Sequence, residues 1–296
     1  MSSKRKTDFL NREGLTMSQG PIRAKNIMVL LPAYNEEGAI GQVIEGVRRQ
    51  LPQATIVVID DCSTDNTVQA ARNAGATVVC IPCNLGIGGA VQTGFKFARE
   101  HNYDIVIRLD GDGQHDPNEI PTLYAALTSG RADAVFGSRF IGKSSDMKIP
   151  ISRQLGIKTF AFLVTLLTRQ RATDTTSGFM CLNRYAVGVL ADYLPQDYPE
   201  VEGRIILHKA GLSTLELPAF MRSRIAGMSS INSWRSIYYA AKVSVAALIG
   251  ALKVVPVVQK ELEHGNHSNY SANSRYSGQS YSIGSDRSTD TEAQTT

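Results

Sequence analysis

Between residues 27 and 136 short apolar runs alternate with longer amphipathic ones. Ile27–Leu31, Thr55–Ile59, Ala76–Ile81, Asp104–Leu109 and Asp133–Phe136 read as strands, several of them rich in β-branched residues. The stretches Glu36–Gln50, Thr64–Asn73, Gly88–His101 and Asn118–Ser129 read as helices. Strand, helix, strand at this spacing requires right-handed crossovers. It predicts an α/β fold with a mostly parallel sheet covered by helices on both faces. Ligands of such sheets bind at the carboxyl ends of the strands. Chemistry is therefore expected just after Leu31, Ile59, Leu109 and Phe136.

Two later segments, Leu155–Leu167 and Ser236–Val258, are strongly apolar. A membrane-spanning helix needs roughly 20 apolar residues. In the second segment Lys242 and Lys253 leave ten residues uninterrupted, and Pro256 follows. This pattern predicts a helix lying in the membrane interface, with Trp234, Tyr238 and Tyr239 at headgroup level and the lysines snorkelling. A core helix pair or a dimer contact is the competing reading, so a homo-oligomer stays open. The expected organisation is a basic arm over 1–25, a folded domain over 26–232, an apolar interfacial region over 233–260 and a tail over 261–296. Within that tail, Asn266–Thr296 holds one aliphatic residue larger than Ala, Ile283, which is too little to offset the entropy of ordering it.

The chain has 296 residues, 43% of them apolar and 20% charged, which excludes a wholly disordered or collagenous chain. Residues 1–25 hold six basic and two acidic side chains, which accounts for the whole net charge of +4. The remaining residues balance, so charge gives no support to nucleic-acid binding. The arm has no apolar stretch of the signal-peptide kind. Four cysteines make no disulfide scaffold, and Cys80-x-x-Cys83 has no second pair nearby, so a reducing compartment is expected.

Asp110-Gly111-Asp112-Gly113-Gln114 follows the fourth strand. Alternate side chains of an extended backbone point the same way, so Asp110, Asp112 and Gln114 offer three oxygen ligands to one hard divalent cation. A calcium loop of the EF-hand kind is excluded, because His115 stands where glycine is needed and Pro121 where glutamate is needed. Pro32-Ala33-Tyr34-Asn35-Glu36 follows the first strand, where Pro32 is expected to end strand pairing, Tyr34 to stack and Glu36 to accept hydrogen bonds. Asp60 and Asp61 follow the second strand, with Ser63 or Thr64 as the expected cap of the next helix. Asn84-Leu85-Gly86-Ile87-Gly88-Gly89 fits neither the dinucleotide fingerprint nor the Walker loop, because Val91 and Phe95 occupy decisive positions. Its glycines are expected to serve a tight turn and close helix packing. Arg139, Arg222 and Arg224 are candidate phosphate clamps or surface ion-pair partners.

Taken in order, Pro32-x-Tyr34-x-Glu36, Asp60-Asp61-x-Ser63, Asp110-x-Asp112-x-Gln114 with Pro117 and Glu119, Gly137-Ser138-Arg139 and Asp174-x-x-Ser177-Gly178-Phe179 resemble the family 2 glycosyltransferases. The resemblance lies in the branch of dolichol-phosphate mannose synthase and the polyprenyl-phosphate sugar transferases, and covers about residues 27–250. It implies a glycosyltransferase A fold, a Rossmann-like sheet followed by C-terminal amphipathic helices. It implies a nucleotide-sugar donor, Mg²⁺ or Mn²⁺, and inversion at the anomeric carbon. Pro32, Tyr34, Glu36, Ile59 and Asp61 would hold the nucleoside. Asp110, Gly111 and Asp112 would face the metal and diphosphate, with Gln114 as a further ligand. Arg139 and Arg224 would contact phosphate or acceptor, and Asp174 and Ser177 would line the acceptor side. Ser230 stands where mannose synthases usually carry a lysine. A lipid phosphate acceptor is already anionic. A sugar hydroxyl acceptor would need a general base, for which Asp174 and Glu202 are candidates. The apolar segments favour the lipid phosphate and a cytoplasmic protein bound peripherally to the cytoplasmic face of a membrane. A glycan-acceptor transferase and a non-catalytic nucleotide-sugar-binding subunit are the rival readings.

Overall fold

The computed structural model describes residues 25–142, 151–197, 199–222 and 254–259. The basic arm up to residue 24, Arg224, the apolar stretch up to residue 253 and the tail lie outside these residues. In chain order the elements are β1 (Ile27–Ala33), α1 (Ile40–Gln50), β2 (Thr55–Asp60), α2 (Thr67–Asn73), β3 (Thr77–Cys80), α3 (Gly86–Glu100), β4 (Ile105–Arg108) and α4 (Ile120–Thr128). Then follow β5 (Ala134–Ser138), α5 (Ile151–Thr168), β6 (Met180–Asn183), α6 (Arg184–Tyr193), α7 (Pro199–Lys209) and β7 (Thr214–Pro218).

Among the described residues the strands form one sheet in the order β3-β2-β1-β4-β6-β5-β7. β3, β2, β1 and β4 pair in parallel, as do β5 and β7, while β6 runs antiparallel to both β4 and β5. Strand alternation divides the interior into two cores. Val29, Leu31, Val58 and Ile107 face α1 and α4. Met28, Leu30, Val57 and Val106 face α3, α6 and α7. Each fully buried aliphatic side chain contributes about 1.5–3 kcal/mol. The helices supply the matching stripe: Ile40, Val43, Ile44 and Val47 recur at three- and four-residue spacing along α1 and are all buried.

The mostly parallel sheet with helices on both faces agrees with the pattern in the sequence. β1, however, runs past Leu31 through Pro32, which pairs in register with Ile59. The Pro32 carbonyl accepts from Gly111 and the Ala33 carbonyl from Asp61. The missing N–H of Pro32 therefore points toward β4, beyond Arg108, where that ladder has already ended. α1 begins at Ile40 rather than Glu36, and α2 at Thr67 rather than Thr64. Ser63 and Thr64 do not cap α2, because both are engaged with Asn35 across the sheet. Asp65 Oδ1 accepts from the Thr67 N–H instead.

The first apolar segment forms α5, which packs Phe160 and Val164 against Val201 and Ile205 of α7. Its opposite face leaves Phe162 70% and Leu166 63% exposed. No described helix is long and apolar enough to cross a membrane. Of the second segment, residues 254–259 are described: Val255 joins the core under α3, α6 and α7, and the Val258 N–H donates to the Ala210 carbonyl at 3.0 Å.

Candidate active site

The carboxyl ends of β1, β2 and β4 open onto a cleft of about 620 Å³, ample for a small-molecule ligand of drug size. Pro32, Tyr34, Glu36, Asp61, Asp110, Gly111 and Asp112 line it. The strand-end rule thus gathers most of the residues expected to hold a nucleoside and a diphosphate. Ile59 is fully buried in the core beneath them. Gln114, Arg139, Asp174, Ser177 and Glu202 are not among the cleft-lining residues.

Two loops are laced together to form one wall. The N–H groups of Asn35 and Glu36 donate to Ser63 Oγ (3.0 Å) and Thr67 Oγ1 (2.7 Å). Asn35 and Cys62 both adopt left-handed backbone, with φ of 55° and 64°, a strained state for residues with a side chain. Tyr34 stands 49% exposed at the rim, free to stack on a flat ligand. Asp61 Oδ1 accepts from the Leu85 N–H at 2.7 Å and so fixes the start of α3. Asn84, Gly86, Ile87 and Ala90 line the same cleft. The glycines here do serve packing: a Cβ on Gly88 would lie 2.0 Å from the Gln196 carbonyl, and one on Gly89 2.4 Å from Leu85 Cβ. But α3 also points its amino end at the cleft, where the helix dipole favours an anion. The spacing of its glycines fits no known phosphate loop, so the sequence pattern alone does not mark it.

The segment after β4 is a tight turn. The Gln114 N–H donates to Asp112 Oδ1 at 3.0 Å, and the Asp110 N–H donates to His115 Nδ1 at 3.0 Å. Because Nδ1 accepts, the His115 ring is neutral with its proton on Nε2. Burial lowers its pKa, outweighing the attraction of Asp110 and Asp112. The 3.7 Å approach of Asp110 Oδ2 to the same nitrogen is therefore not an ion pair. His115 stacks on Phe179 at 5.4 Å. The Gln114 carbonyl accepts from the Arg222 N–H, and Arg222 pairs with Asp116 at 2.7 Å, so the strand exit after β7 is fastened to this turn.

Beneath the turn lies Arg108, 1% exposed. Its Nη2 donates to Glu200 Oε1 at 2.8 Å and to Asp110 Oδ1 at 3.2 Å. Burial disfavours its charge, but Glu200 and Asp110 more than offset that and raise its pKa. On the far side, Arg139 clasps the buried Asp174: Nε donates to Oδ2 at 2.7 Å, Nη2 to Oδ1 at 2.8 Å, and the Arg139 N–H to Oδ2 at 3.1 Å. Burial pushes the Asp174 carboxyl up, but the Arg139 contacts prevail and its pKa is lowered. With Thr176 donating as well, its lone pairs are committed. Asp174 is built to orient Arg139 rather than to take a proton. Arg204 of α7 completes this side. It pairs with Glu216 at 2.8 Å, donates to the Asp174 carbonyl at 2.9 Å and lies 3.8 Å over the Phe136 ring. Ser177 is buried, its Oγ accepting from the Phe179 N–H, and Glu202 is buried within α7.

Among the described residues no three His, Cys, Asp or Glu side chains gather into a ready-made metal centre. Two carboxylates flank the cleft, which is the donor set Mg²⁺ or Mn²⁺ uses when substrate phosphate and water complete the shell. The chain therefore fits a divalent cation that arrives with a diphosphate. Asp110 and Asp112 would hold it. Gln114 enters the turn through its backbone.

Residues 28–189 match the family model described as glycosyl transferase family 2. The UDP-N-acetylglucosamine–dolichyl-phosphate N-acetylglucosaminyltransferase of Methanococcus voltae is 30% identical over 213 residues, covering 66% of this chain and 84% of that one. The undecaprenyl-phosphate mannosyltransferase of Micrococcus luteus is 28% identical over 158 residues, covering 52% of this chain and 64% of that one.

 Among solved structures, glucosyl-3-phosphoglycerate synthase from Mycobacterium tuberculosis, in complex with Mn²⁺, UDP and phosphoglyceric acid, superposes with a TM-score of 0.60. It is 22% identical, over 78% of this chain and 80% of that one, a likeness of fold.

Proposed function

The chain belongs to glycosyl transferase family 2 and has the glycosyltransferase A fold, and from that premise we propose that it moves a sugar from a nucleoside-diphosphate donor to a polyprenyl phosphate, with inversion. The observation that carries this reading is a single cleft lined by Tyr34, Glu36 and Asp61 together with Asp110 and Asp112. Tyr34 stacks on the base, and Glu36 and Asp61 accept from base or ribose. The diphosphate lies between the amino end of α3 and the two carboxylates. A bound Mg²⁺ or Mn²⁺ supplies positive charge where the leaving diphosphate becomes more negative. Asp110 and Asp112 hold that charge in place, with Gln114 assigned to the same turn. An acceptor phosphate oxygen attacks the anomeric carbon as the bond to the diphosphate oxygen breaks. That oxygen is already anionic at pH 7, so no general base is required.

Arg139, held rigid by Asp174, offers positive charge to the acceptor phosphate, as does Arg224 by its place in the motif. Ser177 and Glu202 support the acceptor side. The acceptor assignment rests on the dolichyl- and undecaprenyl-phosphate relatives. A site at the cytoplasmic face of a membrane is supported by α5, where exposed Phe162 and Leu166 lie between exposed Lys158 and Arg169.

The test is transfer from a panel of labelled nucleotide sugars, with Mn²⁺, with and without a polyprenyl phosphate. Label is expected in the organic phase only when the lipid is present, and Asp112→Asn is expected to lower the rate by roughly 10²–10³-fold. Turnover that ignores the lipid would move the acceptor to a glycan hydroxyl. Donor binding with no turnover would make the chain a binding subunit.

A further inference from the structure

β4 alternates strictly. Ile107 and Leu109 face the α1 side, while Val106 faces the α3 side. Arg108 follows Val106 on that second face, where another aliphatic residue would extend the core, and it is among the largest fully buried side chains. A buried ion pair is a poor source of stability, since a hydrophobic pair of similar volume is often as good or better. The arginine therefore calls for another explanation.

Its surroundings supply one. Only Nη2 is bonded, bridging Glu200 and Asp110. Nε and Nη1 are buried with no hydrogen-bond partner among the described residues. Arg108, Glu200 and Arg204 supply the charged lining of an otherwise mainly apolar cavity of about 10 Å³, close to the space one water needs. Gly178 lies directly over the contact: a Cβ there would sit 2.8 Å from both Arg108 Nη2 and Asp110 Oδ1. The chain has thus made room for one guanidinium nitrogen at one oxygen of the carboxylate that lines the donor cleft.

We propose that Arg108, anchored by Glu200, is a positioning residue that fixes the rotation of the Asp110 carboxylate for a divalent cation bound with the donor diphosphate. By holding Oδ1 it prevents the carboxylate from turning away from the cleft. The inference rests on the donor-site reading above. Arg108 and Glu200 carry opposite charges, so replacing both leaves the net charge beneath the cation unchanged and isolates the orienting effect. Replacing Arg108 alone would add net negative charge and tend to tighten cation binding.

The experiment is Mn²⁺ binding to the full chain in the presence of UDP, and in parallel GDP, followed by calorimetry and by the Mn²⁺ electron paramagnetic resonance signal. Arg108→Met/Glu200→Leu is expected to weaken Mn²⁺ binding about tenfold and to raise the Mn²⁺ concentration for half-maximal donor turnover by a similar factor. Its thermal midpoint should be no lower than that of the parent chain. Unchanged Mn²⁺ affinity in this variant overturns the proposal and leaves the pair a structural filling. If that double variant does not fold, Arg108→Met/Glu200→Gln, which likewise leaves the net charge unchanged, decides: a several-fold loss of Mn²⁺ affinity supports the proposal, and none overturns it. Asp110→Asn separates the two readings. If it binds Mn²⁺ and nucleotide as the parent does, the donor-site reading fails, and the role of Arg108 fails with it.

Discussion

Asp174 and Arg139 show how a single buried pair fixes a side chain in one geometry. Both are buried, and the carboxylate accepts from the arginine at three points. The lowered Asp174 pKa means that the unfolded chain takes up this proton more readily than the folded one. The stabilisation is therefore complete above the unfolded carboxyl value near 3.8 and is lost as pH falls through the folded value below it. Asp174→Asn leaves a buried guanidinium without its counter-charge, which costs about 3–5 kcal/mol. Urea unfolding at pH 7 should show that loss, and the variant should lose less stability than the parent between neutral pH and pH 3. Equal acid sensitivity in the two chains would remove Asp174 from this role. Nothing in the spacing Asp174-x-x-Ser177 distinguishes such a clamp from a proton acceptor; the difference lies in Arg139, which reaches Asp174 from 35 residues away.

At the scale of elements, close approach governs α3. A Cβ on Gly88 would meet backbone at Gln196, which cannot turn aside as a side chain can, and one on Gly94 would meet Leu30 Cδ1 at 2.3 Å. Gly41 of α1 has open space at the corresponding point. Gly88→Ala is expected to cost about 1–3 kcal/mol, while Gly41→Ala should be neutral or gain up to about 1 kcal/mol in helix propensity. Thermal midpoints of the two variants check this, and equal shifts would contradict it. The first five strands and four helices were legible because their apolar residues recur with clear periods. β6 and β7 were not: β6 runs straight into α6 with no turn residues between them, and β7 is only partly buried along its length. α7 escaped for a different reason. Glu202 and Arg204 are buried in it and Glu200 faces Arg108, so charges interrupt the stripe that would mark its inner face. The residues of α7 that support the site are the ones that hide the helix. The cleft itself was largely legible, because the loops after β1, β2 and β4 are adjacent in any such sheet. Arg108, His115 and Glu216 act through partners distant in sequence, and no local pattern announces them.

For the whole molecule, the proposed function raises the question of what would bring the donor cleft to an acceptor with a long hydrocarbon chain. α5 packs one face on α7 and turns Phe162 and Leu166 outward, with Lys158 one turn before and Arg169 just beyond. Lys158, Phe162 and Leu166 recur at helical spacing, so two large apolar side chains and one cation share one side, with Arg169 just past the helix end. The helix carries no acidic residue. Burying each apolar side chain in the acyl boundary is worth about 1.5–3 kcal/mol, and each cation near an anionic surface about 1 kcal/mol. Phe162→Glu/Leu166→Glu removes the first contribution and opposes the second. The parent chain is expected to pellet with liposomes containing anionic lipid. The double variant should shift toward the supernatant by more than tenfold in partition, with an unchanged thermal midpoint, since neither side chain supports the core. Added salt should weaken pelleting of the parent only in part, because the apolar contribution is not screened. Should the variant pellet as the parent does, α5 is not the face that meets the lipid, and the membrane contact must be sought elsewhere in the chain.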